Sequence, residues 1–261
     1  MSDKERFGGT ARLYGQDAPN ILANSHVAIA GIGGVGCWVA EALARTAVGK
    51  ITLIDLDDLC VTNTNRQLHA LADTIGQPKV DVMAQRLKAI NPDCKVICIE
   101  DFVASDNVAE VLHNELDFVV DATDSIKAKA AMIAHCKRNK LPIITIGGAG
   151  GQTDPTRIQV GDLSKTIQDP LASKLRNLLR KEYRFSSNPK RKFGISCVFS
   201  SEQLVYPQAD GSVCQTKNLS DGSVKLDCNN GFGASVAVTG TFGFVAAARV
   251  IDKLLEKARA E

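Results

Sequence analysis

The sequence predicts an α/β fold built on a doubly wound, mostly parallel sheet with a C-terminal extension. Three observations support this prediction. Short apolar runs alternate with helical patterns through the first half of the chain, and a glycine-rich turn follows the first apolar run. The predicted strands are continuously apolar, which is typical of a parallel sheet that helices cover on both faces.

The elements of the first half follow one another with short connections. One helix follows Gly36, a second begins at Pro78, and two more are predicted at residues 108–115 and 126–139. The strands between them are predicted at residues 27–30, 51–54, 96–99, 118–120 and 143–146.

Beyond residue 151 the pattern is weaker. It predicts a cationic helix at residues 171–183, a strand at 195–199, and a loop at 207–230 that is rich in Asp, Gly, Ser and Asn. No low-complexity linker divides the chain. We therefore expect a single domain over residues 1–261, with a nucleotide-binding core at about residues 20–151 and an extension at about 152–261.

Composition places the chain among globular proteins of the cell interior. Its 261 residues are enough to bury a large core, and its formal net charge is only +2. None of its eight cysteines forms a C-x-x-C pair, so we expect most of them to be buried thiols and we expect no zinc site. No charged-then-apolar leader opens the sequence, and we expect a cytoplasmic protein.

One uncharged segment, residues 231–248, reaches the length of a short membrane span. Most of its residues are Gly, Ala, Ser or Thr, which gain little from a hydrocarbon environment. The composition therefore favours a buried or subunit-interface helix, and membrane association is the alternative.

A nucleotide-binding turn is predicted at residues 31–36. Gly31, Gly33 and Gly36 form a G-x-G-x-x-G pattern between a predicted strand and a predicted helix, which is typical of Rossmann-like folds. The glycines permit a tight turn, and the following helix directs its N-terminus at a phosphate. Asp55 lies 19 residues beyond Gly36 at the end of the next strand, where a carboxylate can bind a ribose hydroxyl.

The residues that follow favour ATP over NAD. A polar segment at residues 57–67, which hydride transfer does not require, carries Arg66, and Lys79 opens the next helix. Two fixed cations suit a reaction in which negative charge grows on phosphate oxygens. Asp121 and Asp124 lie at another strand end, where a carboxylate can hold Mg²⁺ on the phosphates.

Together these motifs resemble the adenylyltransferases that activate ubiquitin-like proteins. They are G-x-G-G-x-G at 31–36, D-x-D at 55–57, N-x-N-R-Q at 63–67, G-Q-P-K at 76–79 and D-A-x-D at 121–124. The resemblance implies a C-terminal extension of the ubiquitin-activating-enzyme type. It also implies that Gly34 approaches the phosphates, that Arg66 and Lys79 bind them, and that Asp124 organises magnesium. The expected ATP-binding residues are Gly31, Gly33, Gly34, Gly36, Asp55, Asp57, Asn63, Asn65, Arg66, Gln67, Lys79, Asp121 and Asp124, and the expected catalytic residues among them are Arg66, Lys79 and Asp124.

A closer resemblance is to the subgroup of tRNA threonylcarbamoyladenosine dehydratases. It rests on residues 6–15, 147–152, 165–171 and 197–200. The resemblance implies ATP-dependent ring closure of threonylcarbamoyladenosine in tRNA through adenylation of the threonyl carboxylate, in a homodimer. The wider family usually carries a second N-terminal arginine, near Gly9, that reaches ATP across the dimer. Arg6 and Arg12 are the alternatives for that role here.

Cys228 lies in the predicted loop before the final uncharged segment. Related activators carry a nucleophilic or persulfide-forming cysteine at this position, which would imply a cysteine desulfurase or a sulfur acceptor as a partner. A helix N-terminus nearby would lower the pKa of such a thiol. An unreactive loop cysteine is the alternative, because ring closure is intramolecular and requires no thiol.

Two basic clusters indicate an RNA partner. One spans residues 126–140 and contains five cations without an acid. Against a net charge of +2, such clusters are typical of a surface that binds a phosphate backbone, although a solvated face is the alternative. The second cluster contains Lys174, Arg176, Arg180, Lys181, Arg184, Lys190, Arg191 and Lys192.

Two other functions remain open at this point. The chain could adenylate the C-terminus of a ubiquitin-like sulfur-carrier protein, but the zinc-binding cysteine pairs usual in those enzymes are missing. It could also be a non-catalytic scaffold that binds tRNA under ATP control or relays sulfur. The retained Arg66, Lys79 and Asp124 argue against a scaffold.

Overall fold

The fold is centred on a seven-stranded sheet. The structure is a computed structural model and describes residues 3–208, 210–215 and 232–260. In space the strands follow the order β3-β2-β1-β4-β5-β7-β6, and all neighbours are parallel except the antiparallel pair β6 and β7. The predicted fold class is confirmed. In chain order, the strands are β1 (His26–Ala30), β2 (Lys50–Ile54), β3 (Lys95–Ile99), β4 (Phe118–Asp121), β5 (Ile143–Ile146), β6 (Ile158–Asp162) and β7 (Ser196–Ser200).

Helices cover both faces of this sheet. Tyr206–Pro207 (β8) and Val213–Cys214 (β9) form a separate antiparallel pair. The helices in chain order are α1 (Asp3–Arg6), α2 (Gly8–Tyr14), α3 (Ala18–Ala23), α4 (Gly36–Arg45), α5 (Lys79–Ile90), α6 (Val108–Val111), α7 (Ile126–Asn139), α8 (Pro170–Glu182) and α9 (Val236–Ala260).

The alternating side chains of the strands build two cores. Val27 and Ile29 of β1 belong to the core that includes α4, α5 and α9. Ala28 and Ala30 belong to the opposite core, which includes α7 and α8. The strand order reverses between β1 and β4, and ligands of such sheets bind at the carboxyl ends of the strands at this point.

Helix α9 explains the uncharged segment. Val238, Phe242 and Ala246 are buried against α4 and the strands, so residues 236–248 form a partly buried helix, which agrees with the prediction of a buried or subunit-interface helix. Gly243 permits the close packing, because a Cβ there would lie 2.6 Å from the Cβ of Trp38. Among the described residues no helix is both long enough and apolar enough to cross a membrane.

The structure differs from the predicted elements in four places, one of which is β9, a short strand inside the loop predicted at 207–230. The helix predicted at 108–115 ends at Val111, because the backbone leaves helical geometry at Leu112, which is buried. The sequence patterns missed α1–α3, which are four to seven residues long. They also missed β6, whose exposed and half-buried residues lack the continuous apolar character of the parallel strands.

Candidate functional site

A tight glycine turn joins β1 to α4. Gly31 has φ +87°, and a Cβ there would lie 2.8 Å from the carbonyl carbon of Ala122. A Cβ on Gly36 would overlap the carbonyl oxygen of Gly31. The space at Gly33 is open, since its nearest neighbour would be Gln67 Nε2 at 3.9 Å. The turn is therefore packed against the end of β4 on one side and open beside Gly33, where the N-terminus of α4 can receive an anion.

Asp55 fixes this turn to the end of β2. Its Oδ2 accepts a hydrogen bond of 2.6 Å from the backbone N–H of Ile32, and its Oδ1 accepts one of 3.0 Å from that of Asp57. A carboxylate has about four acceptor positions, so Asp55 retains capacity for a ribose hydroxyl. Asp55, which is predicted to bind the ribose, therefore also stabilises the glycine turn.

Lys79 lies at the start of α5 and is almost fully buried. Its Nζ is 2.7 Å from Asp57 Oδ2 and 3.8 Å from Asp55 Oδ1. The side chain of Asp57 is 56% exposed, whereas that of Asp55 is 8% exposed. A phosphate can therefore replace Asp57 as the partner of Lys79 without uncovering a buried carboxylate.

Arg66 lies over the glycine turn. Its Nη1 donates to the carbonyl of Thr62 and to Oδ1 of Asn65, both at 3.0 Å, rather than to a carboxylate. Its Cγ would be 3.2 Å from a Cβ on Gly34. Trp38 of α4 donates from Nε1 to the Arg66 carbonyl at 3.1 Å. Helix α4 thus holds the Arg66 segment beside its own N-terminus.

The other polar residues of this segment mainly shape it. Asn63 Oδ1 accepts from the Cys60 N–H at 3.0 Å, and Asn65 Nδ2 donates to the Ala234 carbonyl at 3.0 Å. Gln67 is buried, and its Oε1 has no hydrogen-bond partner among the described residues. That oxygen can accept a hydrogen bond from a ligand or a water at this turn.

The two aspartates of the β4 end have different positions, and the expectation that Asp121 contacts ATP is wrong. Asp121 has no exposed surface and is 3.1 Å from Lys129 Nζ, while Thr145 donates to its Oδ2 at 2.6 Å. A nucleotide cannot reach this carboxylate. Asp124 is exposed and lies just beyond β4, at the edge of the sheet that carries the glycine turn.

The structure also corrects the two basic clusters. Within residues 126–140, Lys129 is fully buried, and Lys137 donates to the Phe193 carbonyl. Within the second cluster, Arg176 donates to Thr166, and the Arg180 guanidinium lies 5.4 Å from the Phe193 ring centre. The exposed cations of the second cluster are Lys174, Lys181, Arg184, Lys190, Arg191 and Lys192.

Three other predictions concern Cys228, Arg6 and Arg12. Cys228 lies outside the described residues. Arg6 and Arg12 are exposed, and Arg6 Nη1 donates to the Ile90 carbonyl at 2.7 Å. Ile90 is at the opposite end of α5 from Lys79, roughly 16 Å along the helix. Arg6 therefore cannot serve the site of its own chain, and its role across a dimer stays a prediction.

The sequence profile of the ThiF family matches residues 9–261. This chain belongs to the ThiF family. It is 56% identical over 255 residues to the tRNA threonylcarbamoyladenosine dehydratase of Escherichia coli (strain K12), covering 98% of this chain and 95% of that relative.

Solved structures give the same picture of this ThiF-family chain. It is similar to E. coli tRNA N6-threonylcarbamoyladenosine dehydratase in complex with ATP, with a TM-score of 0.89, 52% identity, and coverage of 100% of this chain and 99% of that one. It is also similar to the complex of that enzyme with AMP, with a TM-score of 0.89, 53% identity, and the same coverage.

Sequence reasoning missed two features of this ThiF-family site. The first is Lys129, which appears in the sequence as one cation among several but pairs with Asp121 in the interior. The second is Asp169, whose Oδ1 accepts from the Ala172 N–H at 2.8 Å and caps α8. An aspartate directly before Pro170 is a recognisable helix start, so the sequence did contain a signal for the second feature.

Proposed function

We propose that this chain cyclises N6-threonylcarbamoyladenosine in tRNA in an ATP-dependent reaction with net loss of water. The observation that carries the adenylation chemistry is the pairing of Lys79 with an exposed, replaceable partner beside the glycine turn. The tRNA substrate comes from the similarity to named dehydratases over nearly the whole chain.

In the proposed complex, the phosphates of ATP lie at the glycine turn and the N-terminus of α4. Lys79 exchanges Asp57 for a phosphate oxygen, and Arg66 contributes a second cation above Gly34. Asp55 binds the ribose with the acceptor capacity that the turn leaves available. The site thus supplies fixed positive charge where pyrophosphate leaves.

The proposed reaction has two steps. In the first, an oxygen of the threonyl carboxylate attacks the α-phosphorus of ATP, a mixed anhydride forms, and pyrophosphate leaves. This carboxylate is ionised at neutral pH, so the attack needs no general base. In the second, the carbamoyl oxygen attacks the activated acyl carbon, AMP leaves with the former carboxylate oxygen, and a proton is lost from the carbamoyl nitrogen. The AMP-bound relative supports AMP as the product.

Magnesium is proposed as a companion of ATP, where it would neutralise charge on the phosphates. Among the described residues no three His, Cys, Asp or Glu side chains come together as a metal site. The single exposed carboxylate of Asp124 fits an ion that is held chiefly by phosphate oxygens and water.

We further propose a homodimer with a tRNA-binding surface. Val236 and Phe244 of α9 keep 47% and 49% of their surface exposed, which supports an apolar interface with a second copy. The six exposed cations of residues 174–192 support phosphate contacts. A tRNA substrate favours the cytoplasm. A sulfur-handling partner at Cys228 stays a prediction.

The test is to incubate the protein with ATP and with tRNA that carries or lacks the threonylcarbamoyl group, and to analyse the nucleosides by mass spectrometry. The expected result is the loss of one water from the modified nucleoside only, with AMP and pyrophosphate formed in equal amounts. If the protein instead consumes ATP only with a ubiquitin-like carrier, the proposal is wrong and the rival adenylyltransferase is supported.

A further inference from the structure

A cavity of about 320 Å³ lies beside the N-terminus of α8. This volume is near the lower limit of typical small-molecule sites, which suits one nucleotide unit better than a stretch of strand. The lining combines a guanidinium, a carboxylate, three amides and two hydroxyls with apolar groups. Its residues are Gln168, Asp169, Pro170, Ser173, Arg176, Gln203, Leu204, Tyr206 and Gln215.

Asp169 connects this cavity to the edge of the sheet that carries the ATP site. Its Oδ2 accepts a hydrogen bond of 3.0 Å from the Gly148 N–H, and Gly148 lies two residues beyond β5. Strand β5 is the neighbour of β4, which ends near Asp124, and adjacent strands are about 5 Å apart. The cavity and the proposed phosphate site therefore lie at the same edge of the sheet.

Arg176 gives the cavity a fixed positive charge. Its Nη1 donates to both the carbonyl and the hydroxyl of Thr166, which is buried. These two bonds leave three guanidinium N–H donors available. Asp169 lines the same cavity and its charge acts on Arg176, while its two oxygens also accept backbone N–H groups.

The other lining groups suit a nucleobase. Leu204 is buried and the half-buried Tyr206 presents an aromatic ring to the cavity, and Phe232 packs against this ring from outside the lining with 5.2 Å between ring centres. The amides of Gln168 and Gln203 can pair with the polar edge of a base. An anion and a planar ring are thus recognised within one cavity.

We propose that this cavity is the subsite for one nucleotide of the RNA substrate, with Arg176 binding an anionic group of that nucleotide. The inference rests on the proposed function. The anion has two sources in the substrate, since it is either a backbone phosphate or the threonyl carboxylate. In the second case the cavity selects the modified nucleoside.

The test measures the affinity of Arg176→Gln for two tRNAs, one with and one without the threonylcarbamoyl group. If Arg176 binds the carboxylate, the variant loses at least tenfold affinity for the modified tRNA and no longer distinguishes the two. If it binds a phosphate, the variant loses similar affinity for both. Lys181→Gln, an equal change of charge on the exposed face of α8, is the matched control and should lose only a few-fold for both.

A second variant separates the cavity from the stability of α8, since Arg176 also joins this helix to Thr166. Ser173→Phe fills the cavity without changing charge, and it should weaken tRNA binding while ATP affinity and thermal unfolding stay near wild type. The inference is overturned if Ser173→Phe binds tRNA like wild type, or if Arg176→Gln loses no more than Lys181→Gln. Wild-type protein that fails to cyclise modified tRNA would instead overturn the proposed function.

Discussion

Lys79 and Lys129 are both almost removed from solvent, and both pair with an aspartate near the carboxyl edge of the sheet. Their aspartates differ. Asp57, the partner of Lys79, is 56% exposed, whereas Asp121, the partner of Lys129, has no exposed surface. Lys79 can therefore change partners when an anion arrives, but Lys129 cannot do so without leaving a buried charge. The exposure of the partner, rather than that of the lysine, separates a binding residue from a structural one.

Lys129 also joins two strand ends, which strengthens the contrast. Its Nζ donates to the Ile146 carbonyl at 2.7 Å as well as to Asp121, and so connects the ends of β4 and β5. The segment that follows β4 carries Asp124, and the segment that follows β5 leads to the cavity beside α8. This lysine therefore sets the distance between the two halves of the proposed site.

The largest expected effect comes from removing one member of the buried ion pair between Lys129 and Asp121. Lys129→Met should lower the free energy of unfolding by about 3–5 kcal/mol, because the buried carboxylate of Asp121 would lose its cation. The double variant Lys129→Met with Asp121→Leu should recover most of this loss. Urea unfolding followed by circular dichroism measures both. If Lys129→Met is as stable as wild type, Lys129 is not a structural residue and the contrast with Lys79 is wrong.

Breaking the exposed pair should affect catalysis instead. Lys79→Met should lower the rate of cyclisation about 100- to 1,000-fold, which is the usual cost of removing a preorganised charge from a developing anion. Its free energy of unfolding should fall less than that of Lys129→Met, because Asp57 returns to water and the buried Asp55 keeps two backbone N–H donors. Single-turnover kinetics measures the rate of cyclisation by Lys79→Met, and urea unfolding measures its stability. A loss of stability as large as that of Lys129→Met would contradict this prediction.

His69 senses the surroundings of Lys79 through its protonation. Burial lowers the pKa of His69 to about 4, and the charges of Lys79 and Arg86 add to the effect. Because the unfolded histidine binds its proton near pH 6.5, the stability contribution is present above that pH and is lost as the pH falls toward 4. His69→Phe should therefore lessen the loss of stability between pH 7.5 and pH 5 by about 2 kcal/mol.

The control for this prediction uses the two lysine variants. In an NMR titration, Lys79→Met should raise the pKa of His69 only partly toward 6.5, since burial is the larger cause. Lys129→Met should leave this pKa where it is. A shift of the same size in both variants would show that the His69 environment does not distinguish the two sites.

The smallest expected effect is on tRNA binding, and it comes from exposed cations of residues 174–192. Lys181, Arg184 and Lys190 are exposed, in contrast to Arg176 and Arg180 of the same cluster. Each phosphate contact that is removed should flatten the slope of log K for tRNA binding against log salt by about 0.7–0.9. A salt titration of the triple glutamine variant, with ATP affinity as control, measures this. An unchanged slope would identify the cluster as a solvated face.

The same contrast explains what could be predicted from the sequence. The glycine turn, Asp55 and Lys79 follow from spacing along the chain, because each lies at a strand end or a helix start. Asp121 and Asp124 occupy the same kind of position, yet only three-dimensional packing buries one of them. Sequence spacing therefore does not show which of the two aspartates is buried.

The cavity beside α8 was harder to foresee for a related reason. Its walls come from residues 168–176 and from residues between 203 and 215, which are far apart in the chain. Arg176 appears in the sequence as one of eight cations. Arg176 differs from the exposed cations because it donates a hydrogen bond to Thr166, which lies ten residues earlier in the chain. The repeat of a helix or a strand does not bring these two positions together, so the sequence pattern did not predict this contact.

Trp38 is the only tryptophan of the chain, and its position makes it a natural optical reporter. Its indole N–H donates to the carbonyl of Arg66, and its ring lies 5.7 Å from that of Phe244 in an edge-to-face arrangement. Any movement of the Arg66 segment toward a phosphate alters the polarity around this ring. Binding of nucleotide, and the approach of a second subunit to Phe244, should therefore both change the emission of the unlabelled protein.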